Sequence, residues 1–254
     1  MKKVGWWTLF RVFVRSFFLQ GSFSAKYRQS LGFAYAIEPV GRCLWSDPED
    51  FHRFMVRHTE NYNGNPFMAT LVLGAVARME EQLRNGEGVS EEDIRRFKKI
   101  VAPATGSAGD RLFWSNLRPA ALVTGVSCAL AFGWWGAVLF LALFNTAAWY
   151  LKYRWLYKGY SLGPKVVIEI RNQVLDGAER ILESLGCAFA GFASVGLAVA
   201  LSPGTLSRGT LLAGAFGVFL FSLALYRRNI QLHVVISCAL AFAVILGMIT
   251  FQLA

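Results

Sequence analysis

The run from Pro119 to Leu151 carries no charged side chain, and no other feature of the chain restricts its fold as strongly. Hydrocarbon offers no partner to backbone N–H and C=O groups, so a long apolar run must satisfy them internally as helix. One span needs roughly 20 residues, and this run exceeds that. It is interrupted at Gly133-Trp134-Trp135-Gly136, which predicts two tightly turned spans. Three more apolar blocks follow, Leu185–Leu201, Thr210–Tyr226 and Leu232–Leu253, separated by Ser202-Pro203-Gly204 and Arg227-Arg228-Asn229. The expectation is an all-α integral membrane protein with about five transmembrane helices.

Composition agrees. The 254 residues are 55% hydrophobic and 17% charged, against roughly 25% charged in a soluble domain. A net charge of +10 would suit nucleic acid in a soluble protein. Here the bases flank apolar blocks, as with Lys152, Arg154, Lys158 and the Arg227-Arg228 pair, and no nucleic-acid partner is expected. Placing Arg95–Lys99, Lys152–Lys158 and Arg227-Arg228 in the cytoplasm puts both hairpin turns and the C-terminus outside. Cys43, Cys128, Cys187 and Cys238 are too scattered for a disulfide or metal framework. His52 and His58 do not share a helical face, and His233 is isolated, so neither a metal nor phosphohistidine chemistry is expected. The Gly106–Gly109 stretch lacks the Lys-Ser or Lys-Thr of a phosphate loop.

The first 118 residues read differently. From Trp6 to Leu19, Arg11 and Arg15 share one face of an aromatic-rich amphipathic helix. That pattern fits a helix lying in the membrane interface, and equally one packed on the rest of the protein. The same two arginines interrupt any secretory leader. Ser46-Asp47-Pro48-Glu49 predicts a helix start, with the helix running to His58. After Gly64-Asn65-Pro66, the apolar run Phe67–Ala77 is too short to span and is read as re-entrant. Met79–Ile100 is a charged, cytoplasmic excursion capped at Ser90-Glu91-Glu92-Asp93 and ending near Lys98-Lys99, with a loop over Ala102–Asp110. Asp110 and Arg118 are expected to form a buried structural pair at the membrane edge or to take part in gating. Two regions result: 1–118, amphipathic, re-entrant and cytoplasmic, and 119–254, transmembrane.

Chemistry concentrates between Arg15 and Phe33. Gln20, Ser22 and Gln29 adjoin Phe23 and Phe33, a mixture of neutral hydrogen-bonding groups and rings that suits a sugar. Capping and turn chemistry around Gly21 would account for the same residues. Four ordered blocks over about Arg15 to Gly163 resemble the mannose, fructose and sorbose family IID component of the sugar phosphotransferase system. They are Leu19-Gln20-Gly21-Ser22-Phe23 with Gln29-Ser30-Leu31-Gly32-Phe33; His58, Glu60, Tyr62, Asn63, Pro66 and Phe67 with Leu73-Gly74 and Glu80-Glu81; Gly109-Asp110-Arg111-Leu112-Phe113-Trp114 with Leu117-Arg118-Pro119; and Phe144-Asn145 with Tyr157-Lys158-Gly159-Tyr160. The chain departs from the family at Ser24, for the usual Asn, at Lys26-Tyr27, for a Glu-Arg pair, and at Glu38 before Pro39.

The resemblance implies a multi-pass subunit of the bacterial inner membrane that pairs with a IIC membrane subunit, in higher-order oligomers of IIC-IID pairs. Together they would carry a hexose-type sugar that IIB, recharged by IIA, phosphorylates. This subunit would hold no catalytic residue, metal or cofactor. Gln20, Ser22 and Asn63 are the expected sugar-binding residues, with Phe23 and Tyr62 as neighbouring rings. Lys98, Lys99, Lys152 and Lys158 are expected to set topology or to seat the phosphorylated partner. The departures at Ser24, Lys26 and Tyr27 also fit a non-transporting regulatory or scaffold subunit.

Overall fold

The computed structural model describes residues 2–171, 208–227, 234–239 and 241, and among them every regular element is helical. Capping decides where these helices start. Asp47 accepts from the backbone N–H groups of Glu49 at 3.0 Å and Asp50 at 3.1 Å, so the helix α3 is Pro48–His58, as its sequence predicts. The remaining helices are α1 (Trp6–Arg15), α2 (Ser30–Leu44), α4 (Ala69–Asn85), α5 (Glu91–Gly109), α6 (Arg118–Phe132), α7 (Trp135–Leu162), α8 (Val166–Arg171) and α9 (Arg208–Arg227).

Helix α5 begins in a full capping box, with Asp93 N–H donating to Ser90 Oγ at 3.2 Å and Ser90 N–H to Asp93 Oδ2 at 2.9 Å. It does not end at Lys98-Lys99. The expected loop over Ala102–Asp110 is helical through Gly109, and Asp110–Leu117 continues it as π-helix. The reason is burial: Ile94, Phe97, Val101, Ala102, Thr105 and Gly109 hold one face of α5 in the core, while Pro103 lies on its exposed side. The lost backbone bond there frees a carbonyl that solvent can reach.

The chain forms two compact units, Met1–Asp110 with Ala148–Val174, and Arg111–Ala147 with Leu175–Ala254. In the first, α4 supplies the centre. Ala69–Ala77 is buried at every position, and the helix continues unbroken through Arg78 to Glu80 and Glu81. The second half of α7 crosses it at very short range: a Cβ on Gly74 would fall on the Leu156 carbonyl, and a Cβ on Gly159 on that of Leu71. Residues 2–4 run along the same surface. Val4 N–H donates to Glu81 Oε2 at 2.6 Å, the Tyr160 hydroxyl donates to the same oxygen at 2.5 Å, and Lys2 and Asn85 exchange two bonds of 3.1 Å. The Arg11–Arg15 face of α1 divides: Arg11 is exposed, whereas Arg15 pairs with Glu38 of α2, which Arg42 also binds. Burial acts to raise the Glu38 pKa, and the two guanidiniums outweigh it, holding the carboxyl below its usual range.

In the second unit, α6 and the first part of α7 turn back on each other at Gly133-Trp134, where the sequence breaks, and the Trp134 and Trp135 rings stack 4.2 Å apart. Among the described residues no helix is long and apolar enough to cross a membrane. Helix α6 has 15 residues, and the second half of α7 carries Lys152, Arg154 and Lys158. The span expected at Leu185–Leu201, the turn residues Arg228 and Asn229, and Cys187 lie outside the described residues.

The crossing gives a prediction. Gly74→Ala is expected to destabilise the purified full chain by about 1–3 kcal/mol through overpacking, read as a lower melting temperature. Gly217→Ala, where a Cβ meets nothing within 4 Å, should leave it unchanged or higher. Equal losses at both positions would remove the crossing from the account.

Candidate functional site

Two loops of the first unit carry the polar residues singled out in the sequence. After α1, a 3-10 turn over Ser16–Phe18 leads into successive tight turns, with Gly21 N–H bonded to the Phe18 carbonyl at 2.9 Å and Phe23 N–H to that of Gln20 at 3.2 Å. Ser24 and Arg28 then exchange backbone bonds of 3.3 and 2.8 Å, which close a five-residue loop. Arg28 completes it at φ +53°, a left-handed conformation that a non-glycine residue holds at a cost. The second loop, residues 61–66, ends where Asn65 Oδ1 accepts from Phe67 N–H at 3.0 Å and Met68 N–H at 3.3 Å, turning the chain into α4. Asn65 Nδ2 donates to Asp110 at 2.9 Å. Asp110 and Arg118, expected to be buried, are both exposed, Arg118 lying 5.7 Å from the Trp114 ring centre.

The loops lie side by side. Arg28 and Tyr62 form a parallel bridge, and Gln29 N–H donates to the Tyr62 carbonyl at 3.0 Å. Tyr62 N–H donates to Ser30 Oγ at 3.0 Å, and Gly64 N–H to Gln29 Oε1 at 3.1 Å. Gly32 explains the glycine of its motif: a Cβ there would fall on the Leu19 carbonyl, so the first turn of α2 rests directly on the start of the first loop. Gln20 and Ser22 on one loop and Asn63 on the other are all exposed, with the Phe23 ring 52% exposed beside them in sequence. Tyr62 is not available as a second ring. It is buried and packs on Phe33 with centroids 4.4 Å apart. Lys26 and Tyr27, where the chain departs from its resemblance, are exposed, the ammonium 5.0 Å from the ring centre.

Beneath the loops is a buried ionic cluster that the sequence reading missed. Arg57, fully buried on α3, makes a two-pronged pair with Glu80 of α4, both bonds 2.6 Å long, and a further ion pair with Glu91 at 3.2 Å. His58 Nε2 lies 3.0 Å from Glu80 Oε1. Burial, as the first cause, and Lys98 and Arg57 hold its pKa down to about 4, so the neutral ring donates Nε2–H to the carboxylate. Burial alone would raise Glu80, but the bonds from Arg57 and His58 outweigh it and hold its pKa at about 2. Lys98 donates to the Arg57 carbonyl, and its desolvation pushes its pKa down to about 8. The ring faces of Trp45 and Phe54 cover the Arg57 guanidinium at 5.8 and 5.4 Å.

Two expected surface cations are therefore internal. Lys98 and Lys152 are each 3% exposed. Lys152 donates to the carbonyls of Ser16 at 3.2 Å and Pro66 at 3.4 Å, with the Phe17 ring centre at 4.6 Å. Neither can seat a partner, whereas Lys99 is exposed and Lys158 half-buried. A cation spaced for a helical surface reads the same in sequence whether it meets solvent or distant carbonyls.

Removing Glu80 takes away the two-pronged partner of buried Arg57 and leaves it only the single contact with half-buried Glu91. Glu80→Ala is expected to cost about 3–5 kcal/mol, far more than Glu60→Ala, whose partner Arg95 is only half-buried; comparison of the two melting temperatures checks this. Stability should also depend on pH through His58. Its folded pKa of about 4 lies below the 6.5 of a free ring, so the unfolded chain binds the extra proton between those values. Stability is complete above about pH 6.5 and falls toward pH 4. His58→Gln should flatten that limb of a melting-temperature profile, and an unchanged slope would contradict the assignment.

The sequence profile described as "PTS system mannose/fructose/sorbose family IID component" matches residues 4–202. The chain is 31% identical over 163 residues to the fructose permease IID component of Bacillus subtilis, covering 64% of this chain and 59% of that one. It is 32% identical over 157 residues to the mannose-specific EIID component of Escherichia coli K12, covering 61% and 56%. These matches thus span less than two thirds of either relative. By structure it is similar to a chain of the cryo-EM complex of the mannose transporter ManYZ with microcin E492, at a TM-score of 0.62 and 24% identity, covering 100% of this chain and 98% of that one.

Proposed function

Because this chain belongs to the mannose/fructose/sorbose family of phosphotransferase-system IID components, we propose that it forms, with a IIC membrane subunit, the path along which a hexose-type sugar enters a bacterium for phosphorylation by IIB. The observation that carries this reading is the continuous profile match over residues 4–202, which takes in both exposed loops and the cluster beneath them. The IIC partner is inferred from the mannose transporter complex whose fold the chain shares. Phosphoryl transfer belongs to IIB and IIA, and this subunit contributes the path.

In this reading the protein is a multi-pass protein of the inner membrane. Residues 119–254 supply about five spans, the apolar run Phe67–Ala77 is the re-entrant segment, and the rest of 1–118 lies at or inside the cytoplasmic face. The aromatic side of α1, with Trp6 and Trp7 exposed and Phe17 continuing it in the 3-10 turn, lies in the interface, where exposed Arg11 reaches the headgroups.

Gln20, Ser22 and Asn63 bind the sugar. They are neutral, exposed and on adjoining loops, and the exposed Phe23, which follows Ser22 in sequence, supplies the apolar face that a pyranose needs. A hydrogen bond to a neutral hydroxyl is worth about 0.5–1.5 kcal/mol. Alanine at each position should therefore weaken sugar affinity by about three- to tenfold, with the melting temperature of the purified complex unchanged. Lowered melting with unaltered affinity in all three variants would reduce these residues to turn chemistry. A full-length complex that takes up no sugar would favour a regulatory or scaffold subunit, the reading to which Ser24, Lys26 and Tyr27 lend support.

A further inference from the structure

Gln29 and Ser30 stand in the strongest motif block, yet neither side chain faces outward: they are 3% and 0% exposed. Their side-chain oxygens are spent on the other loop. Gln29 Oε1 accepts from Gly64 N–H at 3.1 Å and Ser30 Oγ accepts from Tyr62 N–H at 3.0 Å, so the two bonds straddle Asn63. Gln29 N–H holds the Tyr62 carbonyl at 3.0 Å, and the Ser30 hydroxyl donates to the Tyr27 carbonyl at 2.6 Å, which keeps its lone pairs aimed at the second loop. Residues 61–65 lie outside any helix, and no other side chain among the described residues is recorded as accepting from the Tyr62 or Gly64 N–H.

From this we infer that Gln29 and Ser30 are positioning residues that set the distance between Asn63 and the Gln20–Ser22 turn, and so determine how tightly a sugar is held. The inference rests on the reading of Asn63 as a sugar-binding residue. The physical basis is that a loop bonded on both sides of one residue loses its freedom before the ligand arrives, so ordering it no longer weakens binding. The left-handed Arg28 immediately before Gln29 is consistent with a backbone forced into register by these bonds. Neither residue touches sugar. Each acts through Asn63.

The test is uptake of radiolabelled mannose, fructose or sorbose, whichever is transported, by cells co-expressing the full chain with its IIC, IIB and IIA partners. Gln29→Leu keeps the shape and removes the acceptor; it should raise KM about three- to tenfold, with maximal rate within about twofold, as for one lost neutral hydrogen bond. Gln29→Glu keeps an acceptor oxygen in place and should restore KM. Combined with Asn63→Ala, Gln29→Leu should add little, because the residue through which it acts is gone. A purely structural role would instead multiply the two effects, or lower the maximal rate and melting temperature at unchanged KM; either result overturns the inference. If Gln29→Leu fails to fold, Ser30→Ala, which removes the bond on the other side of Asn63, is held to the same outcomes. Unchanged KM in Asn63→Ala, or uptake of none of the three sugars, would sink the sugar-site reading itself, and is distinguishable from failure of Gln29→Leu alone.

Discussion

The first unit depends on one fully buried ion pair. Arg57 and Glu80 have both left water, and such a pair is retained only when its geometry is good and its remaining hydrogen-bonding capacity is met. Here each requirement is met by a different element. Glu80 comes from α4, Arg57 from α3, Glu91 and Lys98 from α5, while Trp45 and Phe54 close over the guanidinium. Three helices are thereby fixed relative to one another by groups that cannot slide without exposing a charge to apolar surroundings.

What that cluster fixes is the floor beneath the loops. His58 is the last residue of α3, and the chain reaches Tyr62 within one short turn. The Tyr62 and His58 rings both pack on Phe33 of α2, at 4.4 and 6.0 Å, so the positions of the two loop bases are settled by the same contact surface. The loops themselves remain outside it, exposed and polar. A rigid apolar base thus lies under a polar, exposed rim, and the rim's backbone is positioned by the base.

Local chemistry was legible in the sequence and distant chemistry was not. Asp47 and Ser90 cap the helices that they announce, and Gly133-Trp134 breaks the apolar run where its composition does, because each effect is decided within four residues. The continuation of α5 past Lys99 depended on which face would be buried, and Pro103 happened to fall on the other. Lys152 finds its carbonyl partners 136 and 86 residues away, and no periodicity encodes that. The motif blocks place the polar residues in the two loops but do not show which of them are exposed. They could not separate Gln20 and Asn63, which face out, from Gln29 and Tyr62, which hold the loops.

The first unit is also discontinuous, closed by residues from Ala148 onward that follow the α6–α7 turn. Gly159, Tyr160 and Lys152 all lie in that returning piece, and each meets a residue made far earlier. During synthesis at about 5–20 residues per second, the helices that precede Asp110 emerge and wait several seconds without their last partner. The apolar hairpin leaves the ribosome within that interval. The crossing surface around Gly74 is thus still open when the hairpin emerges, and it closes only once Leu156 and Gly159 have followed.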